Sequence, residues 1–138
     1  MRIAIIGSGA MGSSFGGLLS ESGHQVLLVD RWGEHVDAIA RDGLRLSGVK
    51  GEKVIRIDAC TDVPAGFGAD LAMIWTDANN TRTAAEAAAR ALSPSGFAIT
   101  LQNGIGNVET IVEVLGAPRV AAGSSMCSAA ILGPGHAS

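Results

Sequence analysis

Three glycines, Gly7, Gly9 and Gly12, stand in GxGxxG spacing directly behind the apolar run Arg2–Ile6. A short, unbroken apolar run is what a strand buried on both faces requires. Gly7 allows the tight turn out of such a strand. Gly9 lets a ligand approach the backbone, and Gly12 lets the next helix sit close to the strand. Small and apolar residues then predict a helix over Ala10–Ser22, closed at Gly23. The first-turn N–H groups of a helix lack intrahelical acceptors and lie at the positive end of its dipole. Gly7-Ser8-Gly9-Ala10-Met11-Gly12 is therefore a candidate pyrophosphate cradle.

GxGxxG alone is a weak signal in a chain with 19 glycines, and a turn that binds nothing is the alternative. Asp30 supplies a second feature. It ends the next apolar run, Gln25–Val29, at about the distance where an acidic side chain meets the ribose hydroxyls of a dinucleotide. Read by itself, Asp30 also fits an ordinary helix N-cap, as the lesser alternative. Arg31 follows it directly. A carboxylate here favours NAD, whereas an arginine can pair with the 2′-phosphate of NADP. Both are present, and Arg31 also fits a solvated surface charge.

Further along, the spacing predicts a short helix over Glu34–Arg41, stopped by Asp42-Gly43. Alternation at Leu44 and Leu46 and a β-rich Val54–Ile57 predict a hairpin or a pair of edge strands between Gly43 and Cys60. Leu71–Trp75 reads as a buried strand, Thr81–Leu92 as an Ala-rich helix ending near Ser93-Pro94, and Phe97–Leu101 as a strand. Asn107–Leu115 reads as a helix and Arg119–Gly123 as a further strand. Gly133-Pro134-Gly135-His136 reads as the start of a strand that continues. Strands and helices alternating at these lengths imply an α/β fold of the Rossmann type. Its sheet is doubly wound and mostly parallel, with helices on both faces. Residues 1–138 read as a single NAD(P)-binding domain.

Composition narrows the function. The net charge is −3 and no basic cluster runs along the chain, which argues against a nucleic-acid partner. No apolar run reaches membrane-spanning length, and the N-terminus lacks the flanks of a signal peptide. Cys60 and Cys127 form no CxxC, so no metal site is expected, and a cytoplasmic, reducing location is the simpler reading. The histidines look unpromising as catalysts. His24 precedes a strand, His35 lies on a surface-like helix, and His136 is terminal. Lys50 and Lys53 belong to the hairpin.

The segment Leu101-Gln102-Asn103-Gly104-Ile105-Gly106-Asn107 follows a buried strand, and in doubly wound sheets strand C-termini surround the ligand crevice. Asn103 is thus expected to face the nicotinamide, its amide holding a carbonyl or hydroxyl. The plain alternative is an Asn-Gly turn.

Five segments together resemble the ketopantoate reductase (2-dehydropantoate 2-reductase) family. They are MRIAIIGSGAMGSSFG, LVDRW, GLRLSG, LQNGIGNVE and GSSMCSAAILGPG, in the family's order and spacing. The resemblance covers this whole chain but only the family's first domain. It implies reduction of a 2-keto acid with NADPH, in the pantothenate branch of coenzyme A synthesis. It also implies pyrophosphate binding by Gly7 to Gly12 and 2′-phosphate contact by Arg31. Asn103 would contact the cofactor and help position substrate, and Ala129 would lie against the nicotinamide.

Two departures qualify what the resemblance implies. In Ile74-Trp75-Thr76-Asp77, Thr76 and Asp77 stand at the crevice, and Asp77 occupies the position of a family lysine. A carboxylate there repels an anionic keto acid or phosphate by about 1 kcal/mol in water, and more when desolvated. Capping of the following helix is its competing role. The family's catalytic lysine and substrate-binding residues belong to a helical second domain expected beyond Ser138. No residue here is a persuasive general acid, so the isolated domain is expected to be inactive. A stand-alone dinucleotide sensor, or a related hydroxyacid dehydrogenase with another substrate, is the alternative function. Apolar surface left bare predicts a homodimer or looser self-association.

Overall fold

The computed structural model describes residues 1–49 and 51–138; Lys50, placed in the hairpin by the sequence, lies outside the described residues. The elements run β1 (Arg2–Ile6), α1 (Ala10–Glu21), β2 (Gln25–Val29), α2 (Gly33–Asp42), β3 (Leu44–Gly48), β4 (Gly51–Ile55), β5 (Asp58–Cys60) and β6 (Ala69–Ile74). Then follow α3 (Thr81–Ala91), β7 (Leu92–Thr100), α4 (Asn107–Leu115), β8 (Val120–Ala122), β9 (Ile131–Gly133) and β10 (His136–Ala137).

Six strands form one sheet in the order β5-β2-β1-β6-β7-β8, and every pairing in it is parallel. Counted among themselves these strands run 3-2-1-4-5-6, the doubly wound dinucleotide-fold order. The strand order reverses between β1 and β6. Period-two alternation divides the strands between two cores. Ile3, Ile5, Val26 and Leu28 face one side, with Ile39 of α2 and Leu44, Leu46 and Ile55 of the hairpin. Ala4, Ile6, Leu27 and Val29 face the other, under α3 and α4. There α3 presents Ala84, Ala85, Ala88 and Ala91 to Ala72 and Ala98, so small side chains bring helix and sheet close together.

Helix α1 is wedged between the large sheet and the hairpin. A Cβ at Gly16 would stand 2.5 Å from Leu28 Cδ2, and one at Gly17 would stand 2.7 Å from Leu46 Cδ1. These glycines set the packing distance rather than a turn.

The hairpin is present as β3–β4, antiparallel. Its second strand is Gly51–Ile55, not Val54–Ile57. Asp58–Cys60 instead leaves the hairpin and pairs in parallel with β2, satisfying that strand's outer edge. The chain turns at Pro134-Gly135 (Gly135 φ 70°) and enters a strand at His136, so that β9 and β10 pair antiparallel. β10 then lies parallel to β3 and completes a small sheet ordered β4-β3-β10-β9. Burial of Ala137 and close packing of Gly135 against Ala38 favour the return. None of the described helices is long and apolar enough to cross a membrane.

Candidate functional site

A cleft of about 700 Å³ opens where the C-terminal ends of β1, β2 and β6 meet, at the reversal of strand order. Its floor is Ile6, Gly7 and Gly9. One wall is Val29 to Trp32, another is Trp75 to Asp77, and the far rim carries Thr61, Asp62 and the α3 residues Thr83, Ala87 and Arg90.

The glycine turn is built as its spacing demands. Gly7 has φ 93°, and a Cβ there would press on Thr76 Cγ2 at 2.9 Å. Gly12 lies against the turn itself: its Cβ would fall 1.9 Å from the Gly7 carbonyl oxygen. Gly9 differs from both. A Cβ on it would meet nothing within 4 Å, although Gly9 lines the cleft. Among the described residues no side chain caps the N-terminus of α1, and Ser8 Oγ, fully buried, has no hydrogen-bond partner. Open space above Gly9 beside uncapped amides fits an anionic group seated against the turn. Ala10 and Met11 supply the first of those amides.

Asp30 ends β2 half-buried. Its Oδ1 accepts the Trp32 N–H at 3.0 Å, an Asx-type turn leading into α2. The helix N-cap itself is Trp32, so Asp30 is not the cap that the plain reading of the sequence offered. Arg31 is exposed on the cleft wall and forms no ion pair among the described residues. Across the cleft Arg90 donates to Asp62 Oδ1 at 2.8 Å. That guanidinium, then the Val63 amide, holds the Asp62 carboxyl below the usual carboxylate range. Three carboxylates (Asp30, Asp62, Asp77) thus share the cleft with two guanidinium groups.

Asp77 corrects one expectation. It stands at the cap position of a single 3-10 turn, Ala78–Asn80, yet its side chain makes no capping bond. Its carboxylate lines the cleft instead, exposed. Thr76 lines it too.

Asn103 and Ala129 are not brought into this lining. Asn103 is exposed in the loop after β7, and its carbonyl accepts the Asn107 Nδ2–H at 2.9 Å. Ala129 is half-buried just before β9. The neighbours of Asn103 do structural work that its motif alone does not reveal. Gln102 Nε2 donates to the Thr76 carbonyl, and its Oε1 accepts from Thr100, tying the ends of β6 and β7. Thr81 Oγ1 donates to buried Asn107 Oδ1 at 2.9 Å.

Sequence reasoning missed Trp32, Asp62, Thr83 and Arg90. Trp32 had a signal, an aromatic beside Asp30-Arg31 in a chain poor in aromatics. Asp62 and Arg90 meet only through folding. His35, for which the sequence offered solvent exposure or simple packing, is fully buried. Its ring stacks on Trp32 at 5.0 Å, and it faces Ser13 and Gly135.

The family model of ketopantoate reductase PanE/ApbA matches residues 3–138. The chain belongs to this family. It is 40% identical over 113 residues to the 2-dehydropantoate 2-reductase of Pyrococcus abyssi, covering 82% of this chain and 36% of that protein. To the Lactococcus lactis 2-dehydropantoate 2-reductase it is 33% identical over 140 residues, 99% of this chain and 45% of that protein. Among solved structures, the ternary complex of D-mandelate dehydrogenase with NADH and anilino(oxo)acetate superposes with a TM-score of 0.93 at 32% identity. It covers 99% of this chain and 45% of its own. A PanE/ApbA family ketopantoate reductase from Ralstonia eutropha gives 0.90 at 36%, with the same coverage. The chain therefore spans less than half the length of the relatives it matches.

Proposed function

We propose that this chain is the NAD(P)H-binding domain, over residues 1–138, of an oxidoreductase that reduces a 2-keto acid, of the 2-dehydropantoate 2-reductase type. The observation that carries the reading is Gly9, open to the cleft beside the uncapped start of α1, with Asp30 and Arg31 on the adjoining wall. In this reading Gly7 to Gly12 hold the pyrophosphate and Asp30 takes the ribose hydroxyls. Arg31 pairs with a 2′-phosphate, and Thr76 and Asp77 flank the nicotinamide side. When bound, the nicotinamide supplies a hydride to the keto carbon. Asn103, at the end of β7, positions the ligand, as does Ala129. A general acid is proposed to come from outside this chain, so the isolated domain binds cofactor without turnover. The reading extends to a cytoplasmic role in pantothenate synthesis and to self-association through exposed apolar side chains such as Ile105 and Met126.

Asp77 favours a second reading. Its carboxylate is unused by the fold and faces the cleft, which suits a related hydroxyacid dehydrogenase with a less acidic substrate and NADH. The D-mandelate dehydrogenase relative was captured with NADH.

Titration of the chain with NADPH and with NADH, by calorimetry or nucleotide fluorescence, tests both. NADPH preference is the expected result. NADH preference moves the assignment to the second reading, and binding of neither removes the dinucleotide reading.

A further inference from the structure

We propose that His35 is the positioning residue of the cofactor cradle: as a neutral imidazole protonated on Nε2 it ties the glycine turn, through Ser13, to the returning hairpin at Gly135. The proposal rests on the dinucleotide reading above.

The hydrogen bonds assign the tautomer. The Gly135 N–H donates to His35 Nδ1 at 3.0 Å, so Nδ1 is an acceptor and carries no proton. On the other side, Ser13 Oγ donates its proton to the Ser8 carbonyl at 2.6 Å. The 3.2 Å contact between Ser13 Oγ and His35 Nε2 is then satisfied only if Nε2 is the donor. The relay runs from the Gly135 amide through the imidazole and Ser13 to Ser8, inside the glycine turn. His35 and Ser13 are fully buried, and both sites of the ring are used.

The ring touches the cleft by a second route. Its face stacks on Trp32 with planes 9° apart, and Trp32 lines the cleft beside Asp30 and Arg31. One imidazole therefore braces the pyrophosphate turn from below and the adenosine wall from the side. It fastens both to Gly135, in the turn before β10, one hundred residues along the chain from itself.

A second proton on Nδ1 would point at the Gly135 N–H and break the tie. Burial opposes that charge and pushes the His35 pKa down, while Asp30 and the Ser8 backbone act the other way. Asp30 is the charged group facing the ring. The glycine turn and α1 present Ser8 and Ser13, neither titratable. On the hairpin, His136 is turned to Ser47 and Glu52.

The test measures dinucleotide affinity from pH 8 to pH 5 for the 138-residue chain and for His35→Gln, His35→Leu and Ser13→Ala. Gln keeps one donor and one acceptor but does not titrate. Expected for the wild type is a loss of about tenfold on acidification, flattened in His35→Gln, with affinity at pH 8 nearly restored in that variant. His35→Leu loses about tenfold at every pH, because the Gly135 amide is left buried without a partner. Should His35→Leu fail to fold, Ser13→Ala removes the Nε2 acceptor together with the bond from Ser13 to the Ser8 carbonyl, cutting the relay between ring and glycine turn, and is expected to weaken binding in the same direction. A pH dependence that survives in His35→Gln, or wild-type affinity in both His35→Leu and Ser13→Ala, overturns the proposal and leaves the dinucleotide reading standing. If the wild type binds no dinucleotide, that reading falls. Imidazole nitrogen shifts of the free chain then decide the tie alone, and a proton on Nδ1 overturns it.

Discussion

A Cβ on Gly12 would stand 1.9 Å from the carbonyl oxygen of Gly7, whereas a Cβ on Gly9, between them in sequence, would stand in open space. One glycine motif thus divides into positions the fold needs and a position that a ligand needs. Gly12→Ala is expected to cost about 3 kcal/mol of stability, since backbone cannot step aside as a side-chain end can. Gly9 has φ −62° and ψ −157°, at the edge of the extended region and outside the left-handed region that favours glycine. Gly9→Ala is expected to melt with the wild type yet bind dinucleotide at least about tenfold more weakly. Thermal unfolding with nucleotide titration separates the two effects; equal loss of stability in both variants would contradict the division.

Gly17 is a packing glycine of another kind. The atoms nearest an added methyl are the ends of Leu46, Leu44 and Ile55, which can rotate. Overpacking here costs about 1–3 kcal/mol, offset by about 1 kcal/mol from alanine's higher helix propensity. Gly17→Ala should therefore destabilise by about 1 kcal/mol, measured by urea unfolding, with dinucleotide affinity little changed. Stabilisation would mean that α1 and the hairpin are less closely packed than described.

At the cleft rim, Asp62 holds Arg90, while Arg31 forms no ion pair among the described residues. Arg31→Ala is expected to reduce NADPH affinity about tenfold and NADH affinity little, the loss of one charge-assisted contact. Asp62→Asn should act in reverse. It removes a negative charge beside Arg90 and raises the NADPH-to-NADH affinity ratio about fivefold. The pair is exposed, so the melting temperature should barely move. Isothermal titration of both variants with both nucleotides reads the ratio directly.

The lowered pKa of His35 makes stability itself depend on pH. The folded value lies below the ordinary 6.5, so the unfolded chain takes up the proton first. The contribution of the neutral ring is complete above about pH 6.5 and is lost as pH falls through the folded value. Unfolding midpoints should decline over that interval in the wild type, and His35→Gln should lack this component. A rise in stability on acidification through the same interval would reverse the assigned sign.

Local signals carried much of the fold. The strand–glycine turn–helix at residues 2–21 and the parallel strands beside it were legible because buried strands and helix starts have their own residue patterns. Asp30, Arg31, Thr76 and Asp77 were legible as crevice residues because strand C-termini surround the ligand site in any doubly wound sheet. Asp62 and Arg90 were not. Twenty-eight residues separate them, and neither lies in a motif.

Sequence alone determined the periodicity and the turn glycines, since these depend on neighbours within a few residues; the parallel order was expected from the rules for right-handed crossovers and is set by long-range pairing. Tertiary structure alone decided where the ends of that pattern go. Asp58–Cys60 joined the large sheet because β2 had an open edge to satisfy. The last strand turned back onto β3. His35, on a helix with a polar exposed face, went inside because two distant partners, Ser13 and the Gly135 amide, use both its nitrogens. A buried polar group is stable only when partnered, and which partners arrive depends on the whole chain rather than on the residues next door.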